Sequence, residues 1–150
     1  MNRTFVILMA VAVAAGAVWA IRGSGEELIP YQSQSAITAG KTIYAEQCAA
    51  CHGANLEGQV PDWRSPGEDG LLPAPPHDAS GHTWHHADLL LFRITKYGTE
   101  ALIGGDYRSN MAGFGEVLSD AEILAVLGYI KSTWPDRVRA AHDRVNAAAQ

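Results

Sequence analysis

Two cysteines and a histidine stand together in the run Cys48-Ala49-Ala50-Cys51-His52. This C-x-x-C-H spacing is the attachment signature of a c-type haem, in which both thiols add to porphyrin vinyl groups and the histidine gives an imidazole nitrogen to the iron. Two other interpretations exist: a thioredoxin-like redox pair needs a preceding strand and a parallel sheet, and a zinc site needs further cysteines or a suitably placed pair of histidines. The run therefore predicts one covalently attached haem c, with Cys48 and Cys51 binding the haem and His52 its iron.

A haem iron held by one histidine takes a second axial ligand or keeps an open position. Met111 is the one methionine outside the N-terminal apolar segment, because the other two are Met1 and Met9. It stands in a glycine-rich loop, whereas core methionines usually belong to helices with periodic apolar neighbours. We therefore predict Met111 as the second axial ligand, with a core methionine as the alternative. A thioether opposite an imidazole favours ferrous iron and closes the metal to small ligands.

A cluster of four more histidines comprises His77, His82, His85 and His86. Their spacing allows a copper or zinc ion on the first turn of a helix, or one of them could bind the haem iron. The alternative is that they cap the helix and hydrogen-bond haem propionates or loop carbonyls, and we favour it because no carboxylate or cysteine completes an obvious metal site. Trp84 is expected to pack on the haem edge or its loop and not to act as an electron relay. Arg64 and Arg108 are candidates for pairing with propionates, although solvated surface charge is the commoner case.

The spacing of apolar residues predicts the elements that carry these side chains. A helix over 36–49 ends at the cysteines, and a second helix is expected over 83–98. Between them, residues 53–80 contain five prolines and four glycines, too many for a helix or a central strand, so this stretch must be an irregular loop. Another loop follows through Gly115.

The C-terminal part of the chain contains the clearest helix. Ser119 and Glu122 form a capping box in front of it, and Pro135 ends it. Residues 136–150 have a faint apolar stripe and predict a short, loosely held helix. No alternating run predicts a strand, so the fold class is all-α, with three to four helices and long loops. Such a chain buries little apolar area by itself, and a large apolar cofactor is expected to fill its centre.

Composition and charge set further limits. The 150 residues are 47% hydrophobic and 18% charged, which is typical of one globular domain. Eleven basic against sixteen acidic residues leave a net charge of -5, so the basic footprint of a nucleic-acid-binding protein is missing. Only two cysteines, three positions apart, also exclude a disulfide framework across the fold.

The N-terminus has the pattern of a membrane-directed segment. Residues 5–21 contain no polar side chain, with Arg3 before them and Arg22 after them. Ala15-Gly16-Ala17 fits a signal-peptidase site, whereas the apolar residues that continue beyond it favour a retained transmembrane anchor. In both cases the remainder of the chain is expected on the periplasmic or other extracytoplasmic side.

The predicted organisation has four parts: an anchor or signal peptide over 1–22, a flexible tether over 23–35, a haem domain over 36–134 and a C-terminal extension over 135–150. Without residues 1–22 the chain carries nine basic and sixteen acidic side chains. This acidic balance predicts a redox partner with a basic docking patch.

Residues 36–134 resemble a class I c-type cytochrome in the positions of Gly40 and Tyr44, the C-x-x-C-H motif, the methionine loop ending in Phe114, and the final helix with Tyr129. The resemblance implies that Gly40 meets Gly128 where the first and last helices cross, with Tyr44 packed against Tyr129. It also implies that a proline carbonyl accepts a hydrogen bond from the second ring nitrogen of His52. The candidates are Pro73, Pro75 and Pro76. The family usually has Met-Pro in the methionine loop, whereas Ala112 follows Met111 here.

The resemblance implies an exported monohaem cytochrome that carries single electrons between respiratory or other redox partners and turns over no substrate. One alternative is a haem module with an exchangeable sixth ligand, acting as a gas or redox sensor or as an oxidoreductase subunit. Another alternative is a protein that handles copper or zinc with the cluster His82 to His86.

Overall fold

The computed structural model describes residues 27–149. This part of the chain contains six α-helices and one 3-10 helix: α1 (Gln34–Gln47), α2 (Ala49–His52), the 3-10 helix (Thr83–His85), α3 (Asp88–Tyr97), α4 (Thr99–Ile103), α5 (Asp120–Ser132) and α6 (Asp136–Ala148). Between residues 27 and 149 there is no strand, only an isolated bridge between Gly98 and Ala112. The all-α prediction is confirmed, and the helix count exceeds three to four because α2 and α4 are single short turns.

Helices α1 and α5 cross at the centre of the domain. The rings of Tyr44 and Tyr129 pack there with centroids 5.6 Å apart, as the resemblance implies. Gly40, however, faces the backbone carbonyl of Ala125, and Gly128 faces Pro30, so the implied contact between the two glycines is wrong. Helix α5 therefore has two neighbours: α1 packs on the side that carries Ala125, and the segment before α1 covers the side that carries Gly128.

Helix α5 begins where the capping box predicts. The Ser119 hydroxyl accepts from the Glu122 amide at 3.4 Å, and the Glu122 carboxylate accepts from the Ser119 amide at 2.8 Å. Behind this cap, the apolar side chains of α5 lie in both core clusters of the domain. The cap stabilises the start of the helix locally, and burial of its apolar face orients it.

The helix predicted over 83–98 is divided. The 3-10 helix ends at His85, and His86 and Ala87 are extended before α3 begins at Asp88. The extended backbone leaves the His86 carbonyl free to accept from the His142 ring at 2.9 Å. A contact with a distant helix therefore replaces the local helical hydrogen bonds at this point.

Helix α6 is longer and more firmly held than predicted. The Asn146 amide group donates to Asp88 at 3.0 Å and accepts from the Asp88 backbone amide at 2.8 Å. The ring of His142 and the ammonium group of Lys131 are fully buried, and Lys131 pairs with Asp143 at 3.0 Å. The prediction of a short, loosely held helix was wrong because it was based on the apolar residues alone, whereas polar contacts hold this helix.

The segment before α1 also differs from the predicted flexible tether. Ile29 is 1% exposed within a core cluster, and the Glu27 carboxylate lies 3.2 Å from the Lys131 ammonium group. Residues 27–33 therefore pack on the domain. The predicted anchor or signal peptide over 1–22 lies outside the described residues, as does 23–26. Within residues 27–149, no helix has the length and hydropathy to span a membrane.

Candidate functional site

Cys48, Cys51 and His52 lie on one turn at the junction of α1 and α2. The Cys48 amide donates to Tyr44 at the end of α1, and the Cys48 carbonyl accepts from the His52 amide at 2.9 Å and from the Cys51 amide at 3.1 Å. Both thiols are free, with Cys51 exposed and Cys48 partly buried. Burial, with a smaller contribution from Cys51, raises the pKa of the Cys48 thiol to about 11. A redox-active pair lowers the pKa of its attacking thiol, so this environment does not favour the thioredoxin-like alternative.

The His52 imidazole is buried and anchored through one nitrogen. Its Nδ1 lies 2.8 Å from the Pro75 carbonyl, and because a carbonyl only accepts, Nδ1 carries the proton. Pro75 is thus the one of the three candidate prolines that contacts the ring. Burial lowers the pKa of His52, although the bond to Pro75 opposes this shift, so the ring is neutral and Nε2 is the nitrogen left to bind a metal.

The loop after the motif returns Pro75 to His52. The Gly58 amide donates to the His52 carbonyl at 2.7 Å. Farther along, the Gln59 amide donates to the Ala74 carbonyl at 2.9 Å, and the Ala74 amide donates to the side-chain oxygen of Gln59 at 3.0 Å. These bonds close the long proline-rich stretch into an ordered loop.

Met111 lies in the loop between α4 and α5, as predicted, and is partly buried. Its amide donates to the Ser109 hydroxyl at 3.0 Å, and its carbonyl accepts from the Thr99 amide at 3.3 Å. Gly98 and Gly113 pack backbone to backbone with no room for a β-carbon, so the loop is held tightly against the end of α3. The structure therefore gives Met111 a fixed loop even though Ala112 replaces the usual proline.

Two cavities adjoin this loop. One, of about 630 Å³, is lined by Met111, Tyr97 and Asn110, and its size is typical of a ligand site. The second, of about 380 Å³, shares Asn110 and is lined by Leu72 and Pro73 from the loop that follows the cysteines. The linings of these two cavities bring together the Met111 loop and the loop that follows the cysteines, and neither lining includes His52 or the cysteines.

The residues present fit a c-type haem. Two thiols, a neutral imidazole with Nε2 available and a thioether in a nearby loop are groups of the kinds that attach and ligate this cofactor. Tyr97 and Leu72, which are 52% and 49% exposed, line the cavities and offer apolar surface to a flat apolar ring.

The histidine cluster packs against aromatic rings. His82 stacks on Trp63 with centroids 4.9 Å apart and meets the edge of His86 at 5.2 Å, while His85 stacks on Trp84 at 3.6 Å. Nowhere in residues 27–149 do three or more His, Cys, Asp or Glu side chains form a group able to hold a metal ion. The copper or zinc alternative therefore gains no support.

The two candidate arginines have other contacts. Arg64 lies over the Trp63 ring at 3.9 Å, and Arg108 approaches Glu100 at 3.8 Å with most of its side chain in solvent. Pairing of either side chain with a propionate stays a prediction, as does a contact of Trp84 with the haem edge.

The sequence did not predict the contacts that two residues make beside His52. The Tyr44 hydroxyl donates to the Gly53 carbonyl at 2.8 Å and lies 3.3 Å from that of His52. The ring of His77 stacks on the ring of His52 at 4.0 Å. The available signal for His77 was its position two residues after Pro75, because a proline that reaches the His52 ring brings its neighbours with it.

One comparison with known proteins gives a match that covers the residues of this site. The family model described as cytochrome c matches residues 37–134, which include the motif, Met111 and the final helix of the predicted domain. No curated protein and no solved structure gives a significant match.

Proposed function

The chain belongs to the cytochrome c family, and from this premise we propose that it is an exported monohaem electron carrier whose iron is bound by His52 and Met111. Membership of the family makes the chain a haem-binding electron-transfer cytochrome with covalently attached haem c. When bound, the haem supplies one-electron chemistry between ferric and ferrous iron. The chain's own residues bind the haem, orient its ligands and exclude water.

The hydrogen bond from His52 Nδ1 to the Pro75 carbonyl is the observation that carries the proposal. It directs Nε2 away from the protein backbone and increases the basicity of the ring, as partners of metal-binding histidines do. Cys48 and Cys51 on the same turn would hold the haem by two thioethers. A haem whose ligand is held in place would change little in geometry between oxidation states, which favours rapid electron exchange.

Met111 is the proposed sixth ligand. Its loop is tied at both sides of the residue, through Ser109 and Thr99, so the thioether is presented by a rigid backbone. A thioether ligand would favour ferrous iron and keep small molecules from the metal. With both axial positions filled by the protein, the proposed role is electron carriage without substrate turnover.

The acidic charge of the chain supports a partner with a basic docking patch. Contacts of electron-transfer proteins are small and transient, so complex formation would weaken as salt is added. The apolar run over 5–21 supports export, with the domain on the periplasmic or another extracytoplasmic side. Intact mass of the mature protein distinguishes a retained anchor from a cleaved signal peptide.

Absorption spectra of the haem-loaded protein test the ligand assignment. We expect the ferric form to show a sulfur-to-iron charge-transfer band and the ferrous form to ignore carbon monoxide. Met111→Ala should lose the band and admit carbon monoxide while the haem stays covalently attached. Asp106→Ala, an exposed residue of the same loop that lines neither cavity, is the matched control and should keep the band.

Ready binding of carbon monoxide to the wild-type ferrous protein would contradict the carrier proposal. It would instead favour the alternative of an exchangeable sixth ligand, as in a sensor or an oxidoreductase subunit. A band that survives in Met111→Ala would remove Met111 as the ligand.

A further inference from the structure

The imidazole of His52 has a second ring packed on its face. His77 lies with its centroid 4.0 Å from that of His52, and the two planes are inclined by 26°. The Pro75 carbonyl bonds to the edge of His52, at Nδ1. One edge contact fixes the direction in which a ring nitrogen points, but it leaves the ring able to rock about the line joining Nδ1 to the carbonyl. A contact on the face removes that freedom.

His77 is itself fixed through both backbone and side chain. Its amide donates to the Leu56 carbonyl at 2.8 Å, its carbonyl accepts from the Trp134 indole at 2.8 Å, and its Nδ1 lies 2.8 Å from the Thr83 hydroxyl. Trp134 is nearly fully buried and belongs to the core cluster at the end of α5. The ring that covers His52 is therefore tied to the core on one side and to the 3-10 helix on the other.

Leu56 supports the same arrangement with an uncommon backbone. It is the one residue other than glycine with a positive φ in the described chain, at 71°. Its carbonyl accepts from the amides of both His77 and Asp78, at 2.8 and 3.2 Å. A left-handed conformation at a leucine costs free energy and persists where the surrounding structure requires it. Here it orients the carbonyl that holds His77.

We propose that His77 is a positioning residue that fixes the plane of the His52 imidazole. The inference rests on the proposed function, in which His52 binds the haem iron. When bound to the iron, the His52 imidazole would donate electron density through the orbital perpendicular to its ring plane, so the angle of that plane would affect the energies of the iron orbitals. The side chains that orient a metal ligand tune the metal through this geometry.

Nuclear magnetic resonance and electron paramagnetic resonance of the ferric haem-loaded protein test the proposal, because the order of the haem methyl resonances and the g-values report the ligand plane. His77→Leu removes the flat face and is expected to change both. His77→Phe keeps a flat ring at the same place but loses the hydrogen bond to Thr83, so it should change both less than His77→Leu does. His85→Leu is the matched control, since His85 stacks on Trp84 and not on His52.

Thr83→Val provides a second test that leaves His77 in place. It removes the hydroxyl that holds the ring of His77. If His77→Leu can be loaded with haem, Thr83→Val should shift the methyl resonances and g-values in the same direction as His77→Leu, but by less. If His77→Leu cannot be loaded, the Thr83→Val shift relative to the control decides the question.

The outcomes separate this inference from the proposed function. Superimposable methyl resonances and g-values in wild type, Thr83→Val and any loaded His77→Leu would overturn the positioning role alone. A wild-type ferric spectrum without a histidine ligand would overturn the proposed function, and the inference with it.

Discussion

The crossing of α1 and α5 leaves no space for a side chain at Gly40. A β-carbon on Gly40 would lie 2.0 Å from the carbonyl oxygen of Ala125 and 2.5 Å from its carbon. Both are backbone atoms in the middle of a buried helix, so neither can rotate away. Gly40→Ala therefore requires the two helices to separate by about 1 Å.

The expected cost follows from two opposing contributions. Overpacking of a close-packed contact costs about 1–3 kcal/mol, and a clash with backbone belongs at the upper end of that range. Replacement of a mid-helix glycine by alanine returns about 1 kcal/mol through helix propensity. We expect Gly40→Ala to lower the free energy of unfolding by about 2 kcal/mol.

Gly128→Ala is the matched control because it makes the same change on the partner helix. A β-carbon there would lie 3.3 Å from the carbonyl group of Pro30, a tight contact that a small movement relieves. Its unfolding free energy is expected within about 1 kcal/mol of wild type. Guanidinium unfolding of the haem-loaded variants, followed by far-ultraviolet circular dichroism, measures both values.

Equal costs for the two alanine variants would refute the reasoning, because they would indicate a crossing at which both glycines are equally close to a neighbour. A Gly40→Ala variant as stable as wild type would refute it as well. An unchanged dependence of the unfolding free energy on denaturant is required for either comparison.

Two further predictions concern the polar contacts of α6. Lys131 is 0% exposed and paired with Asp143. Lys131→Met should change the free energy of unfolding by less than about 1 kcal/mol, whereas Lys131→Ala should lower it by about 2–4 kcal/mol because it leaves a cavity. Equal unfolding midpoints for the two variants would contradict this. Burial and Lys131 lower the pKa of His142 against the opposing carboxylates of Asp88 and Asp143, so the unfolded chain binds a proton that the folded chain does not. The free energy of unfolding should fall as the pH falls below about 6.5. His142→Gln keeps a donor for the His86 carbonyl and should reduce that loss in unfolding titrations at several pH values. An unchanged pH dependence in His142→Gln would show that His142 does not cause the loss.

The sequence by itself determined what depends on neighbouring residues. The thiols and the imidazole of the motif share a turn because their spacing is that of a helix, and the Ser119 cap forms with Glu122 three positions away. The loop around Met111 follows from its glycines. Family membership could be inferred from the same residues, since the motif and the final helix are both local patterns.

Longer-range contacts could not be inferred in this way. Three prolines were equivalent in the sequence, and only the path of the loop over 53–80 selects Pro75 as the partner of His52. The position of Gly128 resembled that of a crossing residue, yet the segment around Pro30 occupies the space beside it. Each choice depends on which distant segment of the chain packs at that position in the folded domain.

The C-terminal helix and the ring of His77 show the physical reason for this division. Asn146 and Asp88 are joined across 58 positions, and His77 meets His52 only after the loop has closed. Hydrogen bonds and stacked rings between distant segments leave no periodicity in the sequence, because they depend on direction and distance and not on a repeated apolar face. The sequence therefore determined the haem chemistry and the helices that flank it, and the tertiary structure decided which residues hold the histidine of the motif in place.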